Sequence, residues 1–191
     1  MEPTRILLDR SFHHSAMGNL GEAEKRGRPD LVHQAVLSVT GTPLYLDGDL
    51  RLFVHTCSDL VLEIRERTRI PKNYFRFRGL AEQALSIMPE EGLVVVRRED
   101  ISGLIRRIRP DLIAGFSIRG RPSEFEEIAV RLSQANNPSV LVGGFPHGHF
   151  SGKTLGILDF LARIDTRSLE AHVVSSRLVY EVEKLHPKTN H

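Results

Sequence analysis

The sequence predicts an α/β domain built around a mainly parallel sheet. In the second half of the chain, strand-like aliphatic runs alternate with helical segments, an order typical of parallel sheets covered by helices. The composition indicates a folded protein, because 40% of the 191 residues are hydrophobic and 26% are charged. This length suits one domain, so we expect residues 1–191 to form a single unit.

The first half of the chain is predicted to hold both strands and helices. Asp30 stands where a helix N-cap is expected, after Pro29, and Gly41 is expected to end that helix. A polar, His-rich loop precedes the helix, and a helix with a basic start follows the strands. The predicted elements are a strand at 6–8, a loop at 11–29, a helix at 31–39, strands at 52–56 and 60–64, and a helix from 74.

The second half supplies the alternation on which the fold prediction rests. Aliphatic runs predict buried strands, and apolar residues at helical spacing predict helices between them. A capping box from Ser123 to Glu126 is expected to open one of these helices. The predicted elements are strands at 93–96, 112–118 and 139–145, a buried run at 156–165, and helices at 101–109, from 123, and from 168 to before Pro187.

Charge and cysteine content narrow the possible functions. The net charge is only +2, since 26 Lys and Arg face 24 acidic residues, so a site for a polyanion requires clustered basic residues. Cys57 is the single cysteine, which excludes an intramolecular disulfide and a multi-cysteine zinc site and fits the reducing cytoplasm. No run is long and apolar enough to be a signal peptide or a membrane span, so we expect a soluble protein.

One segment, at about residues 65–78, is dense in basic side chains and interleaved with Tyr74, Phe75 and Phe77. Such a run is usually a solvated face, yet helix-start cations can meet phosphates, and exposed rings can stack on unpaired bases. The two interpretations are balanced at this point. The basic residues are Arg65, Arg67, Arg69, Lys72, Arg76 and Arg78.

Two other patterns are weaker. GGFPHG, from Gly143 to Gly148, follows a predicted strand, where open α/β sheets bind ligands, but a plain glycine-rich turn is an equal alternative. GHFSGKT falls one residue short of a phosphate-binding P-loop. The histidine pairs 13–14 and 147–149 lack the spacing of a metal site, so we expect surface histidines and no metal.

Taken together, several segments resemble one family, the SPOUT-class methyltransferases of ribosome biogenesis that methylate N1 of a pseudouridine in small-subunit ribosomal RNA. The segments are GRPDLVHQAVLSVTGTPL, FVHT, RIPKNYFRFRGLAEQ, GGFPHG and ARIDTRSLEA, in that order and across nearly the whole chain. The chain resembles compact archaeal members, since it lacks a long basic N-terminal extension.

The resemblance implies a SPOUT fold with a C-terminal trefoil knot, a homodimer, and S-adenosylmethionine as the methyl donor. Arg28, Arg69, Lys72 and Arg76 are implied to contact RNA, with Asp30 bracing Arg28. Lys72 stands where an arginine is expected, which keeps the charge but loses the bidentate fork. The implied cofactor-binding residues are Ala114, Gly143, Gly148, Ile164, Asp165, Thr166, Arg167, Ser168 and Leu169.

The implied reaction moves a methyl group to a flipped-out pseudouridine in single-stranded or loop RNA. Asp30 is the candidate for assisting the loss of the N1 proton. The alternative is a non-catalytic RNA-binding factor of ribosome assembly, which the basic segment fits equally well. A third hypothesis is a SPOUT methyltransferase with another RNA position as substrate. Other ribosome-assembly factors are possible partners.

Overall fold

The structure, a computed structural model, describes residues 7–186. Helices and strands are spread over the whole of this range. The helices are α1 (Arg10–Met17), α2 (Pro29–Thr40), α3 (Pro43–Asp47), α4 (Tyr74–Ile87), α5 (Ile101–Ile108), α6 (Phe125–Ser133), α7 (Gly152–Leu155) and α8 (Ala171–Leu185). The strands are β1 (Leu52–His55), β2 (Leu60–Ile64), β3 (Val94–Arg98), β4 (Leu112–Pro122), β5 (Pro138–Leu141) and β6 (Phe160–Arg163).

The strands form two three-stranded sheets of opposite character. One has the order β1-β2-β3 and is antiparallel, and the other has the order β5-β4-β6 and is parallel. The prediction of a mainly parallel sheet is therefore correct only for β4, β5 and β6, because β3 pairs antiparallel with β2. The physical reason is the short link at residues 56–59, which is long enough for a hairpin between β1 and β2 but not for a parallel crossover.

The parallel sheet carries the larger core. The buried start of β4 packs with α6 and α8 through Phe116, Phe125, Ile128, Val174 and Leu178. Helix α2 packs against α8 on one side and against α4 on the other, so it connects the core of the parallel sheet with that of the antiparallel sheet. The start of α2 is therefore positioned by both halves of the protein.

Three local predictions from the sequence differ from the structure: a strand, a loop and a helix cap. Residues 7–8 are not in a strand, and residue 6 lies outside the described range. The predicted polar loop contains α1, because the Asp9 carboxylate accepts from the Ser11 amide at 3.0 Å and caps the helix. The cap of α6 is Glu124, one residue later than predicted, since the Ser123 hydroxyl donates instead to the Arg121 carbonyl.

Candidate functional site

The first turn of α2 carries a charged pair. The helix begins at Pro29, a favoured first position, with Arg28 as the N-cap residue, so the prediction of Asp30 as the cap is wrong. Asp30 instead accepts from Arg28 at two points, with Nε–Oδ1 2.9 Å and Nη2–Oδ2 2.8 Å. This is a bidentate pair, and its carboxylate also faces the positive end of the helix dipole.

The electrostatics of this pair fix the charge of both groups. The hydrogen bond from Arg28 is the main reason that the pKa of Asp30 lies below its usual value, so the carboxylate is ionised at neutral pH. The pKa of Arg28 is raised, first by Asp30 and then by the nearby charges of Glu170 and Asp9. Both side chains are about 40% exposed, at 41% and 39%, which leaves them accessible to a ligand.

Buried residues hold the basic segment against the protein. Thr68 and Ile70 are buried and alternate with exposed neighbours. The Tyr45 hydroxyl accepts from the Thr68 amide at 3.1 Å and donates to the Arg65 carbonyl at 2.7 Å. From α2, the buried His33 donates through Nε2 to the Pro71 carbonyl at 2.7 Å. The exposed residues between these anchors are therefore held in place.

The six basic residues of the segment divide into two groups. Three are used internally: Arg65 pairs with Glu63 at 3.5 Å, Arg78 pairs with Glu82 at 3.7 Å, and Arg67 donates to the Asp47 carbonyl. The other three are exposed and form no ion pair within residues 7–186. These are Arg69, Lys72 and Arg76, the same three that the family resemblance implies for RNA contact.

The aromatic residues of the segment divide as well. Phe77 is buried and stacks on the His33 ring at a centroid distance of 4.3 Å. Tyr74 is half-buried and donates its hydroxyl to the Asp9 carboxylate at 2.6 Å. Phe75 is 63% exposed. The expectation that these rings could stack on bases is therefore wrong for Tyr74 and Phe77 and stands only for Phe75.

The implied cofactor residues lie at or beyond one edge of the parallel sheet. Ala114 is fully buried in β4, in register with Val140 of β5 and Phe160 of β6. Because the three strands are parallel, the segments that follow β5 and β6 leave the sheet at its carboxyl edge, where α/β sheets bind ligands. Ala114 lies in the core behind this edge, and the other implied residues belong to those following segments.

The segment after β5 depends on its glycines. Gly148 has a φ of +93°, which favours glycine, and a Cβ there would lie 3.3 Å from the Lys25 side chain. A Cβ on Gly143 would lie 2.7 Å from the Phe145 ring. The Lys25 ammonium sits 5.9 Å from the centre of that ring. The segment is thus folded tightly on itself and against the stretch just before α2.

The segment after β6 neutralises its own charges. The Asp165 carboxylate accepts from the Arg167 amide and guanidinium, each at 2.9 Å. The side-chain hydrogen bond from Arg167 is the main cause that holds the pKa of Asp165 far below its usual range. Arg167 itself is 83% exposed. The two charged residues of IDTRSL, residues 164–169, therefore pair with each other within this segment.

These separate features meet at the start of α2. A Cβ on Gly144 would contact the Val32 side chain at 3.4 Å, Glu170 raises the pKa of Arg28, and His33 holds Pro71 of the basic segment. No sequence pattern indicates the roles of Lys25, Glu170 or the Asp9–Tyr74 hydrogen bond, because the partners are far apart in the chain. The glycines, by contrast, were visible as a motif.

Within residues 7–186, the histidines do not gather into a metal site. The described residues include no group of three or more His, Cys, Asp and Glu side chains that could hold a metal ion. His13 accepts from the Asp9 amide through Nδ1 at 3.0 Å, and His14 and His147 are exposed. Lys153 of GHFSGKT, the sequence that is similar to a P-loop, pairs with Asp100.

Across residues 7–186, no helix is long and apolar enough to cross a membrane.

Comparison with known proteins assigns the chain to a family. The family model described as EMG1/NEP1 methyltransferase matches residues 1–183. The chain belongs to the EMG1/NEP1 methyltransferase family. This confirms the resemblance that was recognised from the sequence segments.

Members of the EMG1/NEP1 family align with this chain over most of its length. The ribosomal RNA small subunit methyltransferase Nep1 of Thermococcus onnurineus is 40% identical over 159 residues, 81% of this chain and 72% of that protein. The Nep1 of Staphylothermus marinus is 35% identical over 190 residues, 97% of this chain and 82% of that protein. The crystal structure of Archaeoglobus fulgidus Nep1 bound to S-adenosylhomocysteine has a TM-score of 0.78 and 34% identity, covering 94% of this chain and 81% of that one.

Proposed function

We propose that this protein is an S-adenosylmethionine-dependent methyltransferase that methylates N1 of a pseudouridine in small-subunit ribosomal RNA during ribosome biogenesis. The observation that carries the proposal is the likeness to a Nep1 structure that holds S-adenosylhomocysteine, over 94% of this chain. S-adenosylhomocysteine is the product that remains after S-adenosylmethionine has transferred its methyl group. The names of the archaeal relatives supply the substrate class, small-subunit ribosomal RNA.

The cofactor is assigned to the carboxyl edge of the parallel sheet. Gly143 and Gly148 lie in the segment that follows β5, where the lack of a side chain lets the backbone approach its neighbours closely, and the backbone at 164–169 would close the other side. The self-paired Asp165 and Arg167 leave this part of the site without net charge. The bound sulfonium supplies an electrophilic methyl carbon.

The RNA is assigned to the surface formed by Arg28, Arg69, Lys72 and Arg76. The last three are exposed cations without an ion-pair partner inside the described range, which favours contact with phosphates, whereas Arg28 is already paired with Asp30. Lys72 acts as a point charge, whereas an arginine would also supply a bidentate fork. Only an unstacked base reaches an enzyme pocket, so the target nucleotide lies in single-stranded or loop RNA.

In the proposed reaction N1 would form a bond to the methyl carbon while the bond from that carbon to sulfur breaks, which leaves S-adenosylhomocysteine, and the N1 proton would pass to water. Asp30 is ionised and can accept a hydrogen bond from the N1–H while Arg28 holds its carboxylate in one orientation. The same pairing lowers the basicity of Asp30, so its main effect is to orient and polarise the N1–H group. Alignment of the two reacting atoms supplies most of the acceleration.

The first test is calorimetric titration with S-adenosylmethionine, for the wild type and for Gly143→Val. The added side chain would obstruct the backbone of the segment after β5, so we expect binding to be lost. Because the new Cβ also strikes the Phe145 ring, an unchanged thermal unfolding midpoint is required of the variant. Gly152→Ala is the matched control, since a Cβ there meets nothing within 4 Å. Equal binding by all three proteins would contradict the assigned cofactor site.

The second test separates the enzyme from the alternative, an RNA-binding assembly factor without catalysis. A hairpin RNA with a loop pseudouridine is incubated with protein and labelled methyl donor, beside the same hairpin with uridine. We expect methyl transfer to the pseudouridine RNA alone. Tight binding of both RNAs without transfer would favour the assembly factor, and transfer to uridine RNA would indicate another target position.

The assembly of the protein is part of the same proposal. We propose one SPOUT domain over residues 1–191 with a C-terminal trefoil knot, acting as a homodimer in the cytoplasm, with ribosome-assembly factors as further partners. The close approach of Gly120 to the Ala162 backbone, where a Cβ would lie 2.4 Å from it, reflects the tight pairing of β4 with β6, and the knot itself is implied by the family resemblance. Sedimentation at the 21.5 kDa mass of one chain would contradict the dimer.

A further inference from the structure

Two exposed phenylalanines flank one arginine beside the basic segment. Phe12 of α1 is 65% exposed and Phe75 of α4 is 63% exposed. The Arg78 guanidinium carbon lies 5.9 Å from the centre of the Phe12 ring and 5.8 Å from that of Phe75. Both distances fall within the range of cation–π attraction.

The contacts below this group hold it in place. Arg78 also pairs with Glu82 at 3.7 Å, and Glu82 accepts from the Leu7 amide at 3.2 Å. The Tyr74 hydroxyl ties the beginning of α4 to Asp9, the cap of α1. The two helices that carry the rings are therefore fixed to each other, and a ligand would meet a surface that is already organised.

The composition of this surface indicates what it binds. Single exposed hydrophobic residues are common and need no explanation, but here two rings and a guanidinium form one patch. Arg76, an exposed cation without an ion pair in 7–186, lies between Phe75 and Arg78 in sequence. Rings and guanidinium planes beside cations are the combination that binds single-stranded nucleic acid, whereas a hydrophobic protein partner has no need of the cations.

We propose that Phe12, Phe75 and Arg78 form a stacking platform for an unpaired base of the RNA substrate, outside the nucleotide that is methylated. The inference rests on the proposed function in one respect, that the ligand is RNA. The platform would set the position of the flanking strand, while the cations hold its phosphates and the start of α2 receives the target base.

The test measures binding of the pseudouridine hairpin by fluorescence anisotropy. Phe12→Leu and Phe75→Leu keep an apolar side chain but remove the ring, so we expect each to weaken binding by at least about fivefold. Phe75→Tyr keeps the ring and should bind like the wild type. Ile87→Ala is the control, because Ile87 is 66% exposed at the other end of the same helix.

Two further readouts identify stacking as the cause. The phenylalanine variants should leave the salt dependence of binding unchanged, because stacking releases no counterions. An abasic site at one loop position next to the pseudouridine should weaken binding by the wild type as much as Phe75→Leu does, and the two losses should not add.

The outcomes keep the inference separate from the proposed function. Methyl transfer by the wild type, together with unchanged RNA affinity in both leucine variants, would overturn the platform and leave the enzyme intact. Such a result would favour a protein partner for the rings. Conversely, loss of affinity in the leucine variants of a protein that transfers no methyl group would support the platform and overturn the enzyme.

Discussion

The hydrogen bond between Tyr74 and Asp9 should contribute measurably to stability. Tyr74→Phe removes only the hydroxyl group, which donates to the Asp9 carboxylate at 2.6 Å. Asp9 is buried, with 7% of its surface exposed. A hydrogen bond to a charged group is worth about 2 kcal/mol. For a chain of 191 residues, that free energy corresponds to a fall in the unfolding midpoint of about 4–8 °C.

The pH dependence of this effect follows from the pKa of Asp9. Burial raises that pKa, but the hydrogen bonds from Tyr74 and Ser11 outweigh burial, so the pKa is lowered in the folded protein. A lowered pKa gives stability that is fully present above the ordinary aspartate pKa of about 4 and is lost as the pH falls through the folded value. The gap between wild type and variant should therefore shrink near pH 3.

The measurement is thermal unfolding followed by circular dichroism at one protein concentration, near pH 7 and near pH 3. Tyr180→Phe is the control, because Tyr180 is 60% exposed and its hydroxyl makes no hydrogen bond in the part of the chain that the structure describes. If Tyr74→Phe lowered the midpoint near pH 7 no more than Tyr180→Phe does, the reasoning about the buried carboxylate would be refuted.

Three further substitutions test the site. Arg76→Gln should reduce the slope of RNA affinity against salt by about 0.7 and leave cofactor binding unchanged in titration; an unchanged slope would remove Arg76 from the RNA surface. Asp30→Asn should lower the rate of methyl transfer about tenfold or more in single-turnover kinetics. Asp30→Asn should lower the free energy of unfolding by no more than about 1 kcal/mol, since the pair with Arg28 is partly exposed. A wild-type rate of methyl transfer in this variant would exclude a role of Asp30 in proton loss. Gly148→Ala places a residue with a side chain at a φ of +93°, which strains the backbone, so we expect calorimetry to show weaker binding of S-adenosylmethionine. Binding as tight as that of the wild type would contradict this expectation.

The elements that the sequence predicted well are those with a strong local pattern. The strands β1 and β2 and the helix α2 lie within a few residues of their predicted bounds, because alternating or helical apolar spacing depends on neighbours in the chain. The sequence predicted β1 and β2 as neighbouring strands, but it did not predict the antiparallel sheet, because β3 joins β2 from about 30 residues further along the chain. Helix α1 was missed because its polar, His-rich sequence has little apolar periodicity, although Asp9 is a good cap.

The candidate site shows the same division between local and distant information. The basic segment was visible as a run, but its separation into internally paired and exposed residues depends on Glu63, Asp47 and Glu82, which lie on other elements or a turn away. The Asp9–Tyr74 bond joins residues 65 positions apart, and no spacing rule reaches that far. The family resemblance implied Arg69, Lys72 and Arg76 as the RNA contacts, whereas composition could not separate them from the other basic residues of the segment.

The first turn of α2 connects the two binding functions of the proposed enzyme. Arg28 belongs to the proposed RNA surface, and its pKa is raised by Glu170, which follows the segment after β6. Val32 supports Gly144 of the glycine segment, and His33 holds the basic segment through Pro71. Since these contacts lie within two turns of one helix, any displacement of α2 moves the cofactor and RNA sides together. We therefore expect changes in α2 to affect both ligands, and changes at Arg69 or Arg76 to affect RNA alone.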